Sequence, residues 1–232
     1  MLQVKQFRYH LDNLGYLLYG EKYAIAVDGG AFDEILTFIE SHRLNLLFVT
    51  NTHGHVDHTS GNVALLKQSD ARLLRPEEIY GREIELEREK IRIYHTPGHT
   101  ADSLCFHGDN ALITGDTLFN GTIGNCFSGD LKGFYQSIKK IMSLPGSTLI
   151  YAGHDYVREA MSFARRLEPD NDYIETFLKN YKLDHVFSRL TDELRVNPYL
   201  RFNEPDIINF LKKNGLPTKT EWQRWQSLMT ID

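Results

Sequence analysis

Cysteine is scarce in this 232-residue chain, which carries only Cys105 and Cys126. Two cysteines are too few for a disulfide framework and suit a reducing compartment, where each reads as a small buried hydrophobe. No segment approaches the ~18 consecutive apolar residues that a membrane helix requires, so a membrane-spanning protein is not expected. The opening stretch, MLQVKQFRYHLDNLGYLLYG, lacks the basic, apolar and small-residue order of an export signal. The expected location is therefore the cytoplasm, with no membrane partner. Positive charge is also wanting: a formal net charge of −5 offers phosphate backbones no general attraction, and nucleic acid is not an expected partner.

What is present is ordinary for a globular protein, with 41% hydrophobic and 25% charged residues. The length suits one catalytic unit with a small appended domain. Residues 2–28 hold short runs of Tyr, Leu, Val and Ile broken at Asp12-Asn13 and Gly20-Glu21, which predicts two or three antiparallel strands ending at Asp28-Gly29-Gly30. Apolar spacing then predicts a helix over 31–42 and a buried strand over 46–49, followed by a helix over 59–68 and strands at 71–74 and 91–95. A hairpin over 103–107 and 111–114, a helix over 131–143 closed by Pro145-Gly146, and a strand over 148–152 complete this part. Beyond His154 the pattern becomes helical, over 156–168, 172–188, 205–214 and 219–229, with no further strand. The expected division is a catalytic domain over 1–160 and a helical domain over 161–232 that covers the substrate site.

His53-Gly54-His55-Val56-Asp57-His58 packs three imidazoles and a carboxylate directly after the strand at 46–49. Neutral imidazole and carboxylate are preferred donors for zinc and similar ions, and alternation at 53 and 55 points two rings the same way. Asp57 and His58 fall elsewhere, which invites a second ion. Three more donors stand at predicted strand ends, each after a glycine: His99 in Thr96-Pro97-Gly98-His99-Thr100, Asp116 in Thr114-Gly115-Asp116-Thr117 and His154 in Tyr151-Ala152-Gly153-His154-Asp155. Loops at the carboxyl ends of strands are where residues remote in sequence converge on a site. The solitary His10, His42, His95, His107 and His185 read as surface or core histidines.

These fragments resemble the metallo-β-lactamase superfamily, marked by HxHxDH followed by one His, one Asp and one His at strand ends. The resemblance implies an α/β fold, the αββα sandwich of that family, with a small C-terminal helical domain. It also implies two divalent metal ions, zinc first and iron or manganese also accepted by this donor set. Metal 1 would take His53, His55 and His99; metal 2 would take Asp57, His58 and His154; Asp116 would bridge both. Asp57 would in addition orient the hydroxide that the ions share and that attacks a carbonyl.

Within that superfamily the chain looks like the glyoxalase II group, the hydroxyacylglutathione hydrolases. The similar segments are Gly115-Asp116-Thr117-Leu118-Phe119, residues 150–156, residues 162–171 (SFARRLEPDN) and Asn197-Pro198-Tyr199-Leu200-Arg201. The implied reaction is hydrolysis of a small-molecule thioester such as S-(2-hydroxyacyl)glutathione to a carboxylic acid and a thiol. A thiolate of pKa about 8.5 leaves with little acid assistance, which suits a site without an obvious general acid. Tyr156 matches the tyrosine that binds the glutathione backbone. Asn125 stands where the group has a Lys or Arg for the glycine carboxylate, and Arg224 keeps one charge of an otherwise altered last helix. Trp222 and Trp225 in that helix read as packing of the tail onto the core. Two rival readings share most of these residues: a mononuclear iron persulfide dioxygenase using His53, His99 and Asp116, and a non-catalytic metal-binding protein. Nothing in the sequence specifies an oligomeric state.

Overall fold

The computed structural model describes residues 2–231. The chain opens with a five-stranded sheet whose strands follow chain order: β1 (Gln3–Tyr9), β2 (Asn13–Tyr19), β3 (Tyr23–Val27), then, after helix α1 (Phe32–His42), β4 (Asn45–Thr50). Helices α2 (Val56–Thr59) and α3 (Asn62–Lys67) precede the edge strand β5 (Arg72–Leu74). The first three strands are antiparallel hairpins, whereas β3, β4 and β5 are parallel and need helical crossovers, so the polarity of the sheet changes at β3.

A short helix α4 (Pro76–Ile79) leads to the second sheet, built from β6 (Glu83–Leu86), β7 (Glu89–His95), β8 (Leu104–Gly108) and β9 (Ala111–Gly115). A small hairpin of β10 (Leu118–Phe119) and β11 (Thr122–Ile123) follows, then helix α5 (Leu131–Met142) and strand β12 (Leu149–Ala152), which lies parallel to β9. Leu14, Tyr16, Leu18, Ile25 and Val27 of the first sheet meet Ile91, Ile93, Phe106, Ile113 and Tyr151 of the second in one buried core. Helices α1 and α3 supply residues that cover the outer face of the first sheet, and α5 those of the second. The layers therefore run helix, sheet, sheet, helix, as the sequence implies.

The tail holds α6 (Val157–Leu167), α7 (Tyr173–Asn180), strand β13 (Ser188–Arg189), α8 (Leu190–Val196), α9 (Pro205–Lys213) and α10 (Glu221–Leu228). Two expectations fail here. The helix predicted over 172–188 stops at Asn180, and a strand follows it, pairing antiparallel with β12. The cause is tertiary: the Gln6 side chain donates to the Val186 carbonyl and accepts from the Val186 N–H, both at 2.7 Å, so that peptide is satisfied by β1 instead of by a helical turn. Helix α8 was not visible in the apolar spacing at all.

The segments at 162–171 and 197–201 are joined by the stacked rings of Phe163 and Tyr199 and by an ion pair. Arg201 donates from Nε and Nη2 to the two oxygens of Glu168, both at 2.7 Å, and Glu168 is 2% exposed. Such a forked pair fixes angle as well as distance. Replacing Arg201 with Leu strands a buried carboxylate and is expected to lower unfolding free energy by ~3–5 kcal/mol in urea titration. A change below ~1 kcal/mol, the range of an exposed pair, would show that the contact does not hold the tail.

Candidate metal centre

All seven predicted donors meet at one end of the two sheets. After β4 the chain bends at Thr52 and His53 and reaches an extended His55 just before α2, and the His53 and His55 rings close on each other with Nε2 and Nδ1 2.9 Å apart. Asp57 and His58 lie in the first turn of α2, with the His58 ring 4.2 Å from that of His53 between centroids. His99 comes from the loop between β7 and β8, Asp116 from the end of β9, and His154 from the end of β12. Close approach makes glycine necessary beside two of them. A Cβ on Gly153 would stand 2.2 Å from Asp116 Oδ1, and one on Gly115, whose φ is +49°, would stand 2.4 Å from Thr52 Oγ1.

The rings are oriented from behind. Asp28, fully buried at the end of β3, accepts from the Thr52 N–H at 2.7 Å, the Thr52 hydroxyl at 2.7 Å and His58 Nδ1 at 2.9 Å. Thr52 has spent its proton on Asp28, so its oxygen accepts from His53 Nδ1 at 3.1 Å. His99 Nδ1 donates to the Asn125 carbonyl at 2.9 Å, and His154 Nδ1 donates to Asp12 Oδ1 at 2.9 Å. Four imidazoles thus face outward with Nδ1 and turn Nε2 to the centre, the arrangement that fixes a ligating tautomer.

At the centre the nitrogens crowd together. His55 Nδ1 lies 2.9 Å from His53 Nε2 and 3.1 Å from His99 Nε2, while His58 and His154 bring their Nε2 atoms to 3.2 Å. Each cluster has room for at most one proton. Two nitrogens ~2.0–2.1 Å from one zinc ion lie about 3.3 Å apart in tetrahedral geometry, close to these separations. The donor atoms of His53, His55 and His99 all lie within 4.8 Å of one another, as do those of Asp57, His58 and His154. Asp116 touches both groups: Oδ2 is 3.4 Å from His99 Nε2 and 3.5 Å from His154 Nε2, and Oδ1 is 3.3 Å from His58 Nε2. Oδ1 is buried without a hydrogen-bond partner. An orphaned buried carboxylate oxygen among ring nitrogens fits a cation, and the residues present could hold two.

The electrostatics carry the same demand. Burial opposes a charge on His58, yet Asp28 and then Asp116 hold its pKa up at about 11, so that without metal a proton supplies the positive charge. His53 falls to about 4 through burial and the nearby His58. Burial also works against ionisation of Asp116, but His58, His154 and His53 outweigh it and keep the carboxyl at about 2.

The three further site residues are placed differently. The Tyr156 ring stacks on the His154 ring with centroids 5.2 Å apart, and its hydroxyl is held up to about 12 by burial and by Asp12. Asn125 reaches the centre through its carbonyl on His99, while its side chain is exposed. Arg224 is engaged within the tail, donating to Asn203 Oδ1 and to the Thr218 carbonyl. Trp225 is fully buried against Phe134 and Tyr135, with Trp222 stacked on it, as packing predicts. Sequence reasoning missed Asp28, Asp12, Thr52 and Asn13, whose amide bridges Asp57 Oδ2 at 2.8 Å and His154 Nε2 at 3.4 Å. Replacing Asp28 with Asn turns one acceptor into a donor against donors. The expected result is ~10–100-fold weaker metal binding in a chelator competition, with folding preserved by circular dichroism. Unchanged affinity would remove Asp28 from the supporting shell.

The family model for the metallo-beta-lactamase superfamily matches residues 12–95 and 75–154, and the model for the hydroxyacylglutathione hydrolase C-terminus matches residues 155–229. The chain is 32% identical to the hydroxyacylglutathione hydrolase of Tolumonas auensis, with 93% of this chain and 92% of that protein covered. It is 31% identical to that of Nitrosomonas europaea, covering 90% and 86%. Among solved structures, ETHE1 from Myxococcus xanthus is similar with a TM-score of 0.67 at 22% identity, covering 93% of this chain and 92% of that one. The BLEG-1 B3 metallo-beta-lactamase is similar with a TM-score of 0.65 at 21% identity, covering 85% and 99%; both likenesses concern the fold. The chain belongs to the metallo-beta-lactamase superfamily and, within it, to the hydroxyacylglutathione hydrolase family.

Proposed function

We propose that this chain is a binuclear metal-dependent thioester hydrolase that takes a 2-hydroxyacyl thioester and water to a hydroxy acid and a free thiol. The observation that carries this reading is the convergence of five imidazoles and two carboxylates, with four of the imidazoles already tied to protein acceptors through their outward nitrogens. His53, His55 and His99 would hold one ion, Asp57, His58 and His154 the other, and Asp116 both, with zinc the first expectation. When bound, two such ions lower the pKa of a shared water towards neutrality and polarise a carbonyl oxygen.

The protein's own part is positional. Asp57 is the one carboxylate of the seven donors that reaches solvent, with 40% of its side chain exposed. Burial works against its charge, but the Asn13 amide and His58 hold its carboxyl below the usual range, so it is an ionised acceptor at neutral pH. In this reading Asp57 both ligates one ion and orients the attacking water, whose proton it accepts. The new carbon–oxygen bond then forms as the carbon–sulfur bond breaks, the electron pair leaves on sulfur, and the thiolate is protonated from solvent. No serine or cysteine nucleophile is required, and the departing thiolate needs no positioned acid. An amide would need one.

Replacing Asp57 with Ala is expected to lower kcat for S-lactoylglutathione by ~10²–10⁴-fold, the range of a positioned acid or base, with part of the metal lost. Thiol release is the readout, and wild-type turnover would sink the two-metal reading. Stripping the metal by chelation should abolish thiol release, and adding back zinc, iron or manganese singly should restore it. Activity that survives complete stripping would contradict the proposal.

A further inference from the structure

The hairpin of β10 and β11 turns its tip into the protein, whereas loops and turns normally lie in solvent. Asn120, at the tip, is 1% exposed, and its amide donates to the Ile150 carbonyl at 3.1 Å and to Ser188 Oγ at 2.7 Å. Ser188 passes its own proton to Glu193 Oε1 at 2.6 Å. The Gly121 N–H donates to both oxygens of Glu193, at 3.1 Å and 2.9 Å. Asn197 donates to Glu193 Oε2 at 3.0 Å and to the Thr122 carbonyl at 3.1 Å. A single carboxylate of α8 thus gathers the hairpin tip, β13 and the end of its own helix.

The two ends of the same hairpin belong to the metal centre. Asp116 stands two residues before β10, and Asn125, whose carbonyl accepts from His99 Nδ1 at 2.9 Å, stands two residues after β11. The chain between them is tightly packed: a Cβ on Gly124 would stand 2.0 Å from the Asp116 carbonyl oxygen and 3.0 Å from His99 Nδ1. Displacing the hairpin therefore moves the backbone on which Asp116 and His99 rest. Stability does not account for a carboxylate at position 193. Glu193 is fully buried among neutral donors, and burial pushes its carboxyl up to about 7, so ionising it works against the fold as pH rises from the ordinary carboxylate range to that value. Replacing buried charged groups by well-packed apolar ones is often neutral or stabilising. What an apolar residue would lack is an acceptor for the tip of the hairpin.

From this arrangement we infer that Glu193 is a positioning residue for the metal centre: by fixing the tip of the β10–β11 hairpin it sets the Asn125 carbonyl against His99 and the backbone of Asp116 beside it, and with them the geometry in which these two donors meet an ion. The inference rests on the metal-binding reading above and extends it to a residue outside the donor cluster. The effect of Glu193 falls on the donors joined to this hairpin. His53 and His58 are tied through Nδ1 to Thr52 and Asp28, which belong to the other sheet. Positioning therefore acts on His99 and spares those two rings, whereas general support of the fold would loosen all three alike.

The test follows the imidazole Nδ1–H protons of zinc-loaded protein by proton NMR, with zinc retention measured against a chelator. Glu193→Leu removes the acceptor; it should speed solvent exchange of the His99 proton and weaken zinc retention, each about tenfold, with the His53 and His58 protons within about twofold of wild type. Glu193→Gln keeps an oxygen for the Gly121 N–H and should bring both readings back to within about threefold of wild type. Asn197→Ala releases the Thr122 carbonyl and decides the matter if the Leu variant does not fold: His99 exchange should rise about threefold with His58 unchanged. Wild-type His99 exchange in the folded Leu variant, or failing that in Asn197→Ala, overturns the inference. So does equal acceleration of His53, His58 and His99, or a Gln variant no better than Leu. Each of these outcomes leaves the metal-binding reading standing, whereas wild-type protein that takes up no zinc overturns that reading and this inference with it.

Discussion

Asp28 is a carboxylate buried completely between the two sheets, with a backbone φ of 53° that few residues other than glycine adopt. Its two oxygens accept from a strand-end amide, from the Thr52 hydroxyl and from His58, and through Thr52 they also set His53. An unpaired charge at that depth would be strongly unfavourable, so the group persists because three donors converge on it. The same convergence ties the ends of β3, β4 and α2 together. Once that knot is formed, the two histidines that belong to different donor groups have fixed tautomers and a fixed separation, and the remaining donors have only to arrive from the other sheet.

They arrive because the second sheet ends at the same level. β9 and β12 run parallel, which places Asp116 and His154 side by side at their carboxyl ends, and the Gly153 N–H donates to the Gly115 carbonyl at 2.9 Å. The turn between β1 and β2 then crosses over: Leu14 donates to the Gly153 carbonyl at 2.8 Å and Asp155 to the Asp12 carbonyl at 3.0 Å. The site is therefore a seam between sheets, and its precision comes from backbone hydrogen bonds more than from the donors themselves. Removing a donor costs a ligand, whereas disturbing the seam misplaces several at once.

This division explains what the sequence discloses. The donors are legible because their residue types and their positions after apolar strands are local facts, and the HxHxDH run spans the bend at His53 and the first turn of the helix that holds Asp57 and His58. Asp28-Gly29-Gly30 and Asp12-Asn13 read as turns, which they are, but a turn signal conceals a carboxylate whose partner lies 30 or 142 positions away. The same holds for the tail. The helix expected over 172–188 ends early because of a hydrogen-bonded pair across 180 positions, and no window of neighbouring residues contains that information. Arg224 carries a charge suggestive of a ligand, yet its geometry belongs to Asn203 and Thr218.

The helical tail acts on the centre through the β10–β11 hairpin. Glu193 of α8, fully buried, accepts from the Gly121 N–H with both oxygens at 3.1 Å and 2.9 Å, and Asn197 donates to the Thr122 carbonyl at 3.1 Å and to Glu193 at 3.0 Å. The loop leaving that hairpin carries the Asn125 carbonyl on which the His99 tautomer depends, and the Phe127 ring that meets the His99 ring edge to face. Arg201, four residues beyond Asn197, is in turn anchored to Glu168 at the end of α6. A continuous set of buried polar contacts therefore runs from the tail to a donor, and a tail that packs against the outer face of a sheet still governs the geometry of the centre at its edge. The 162–171 and 197–201 segments therefore act together as a brace for the loop that carries the Asn125 carbonyl.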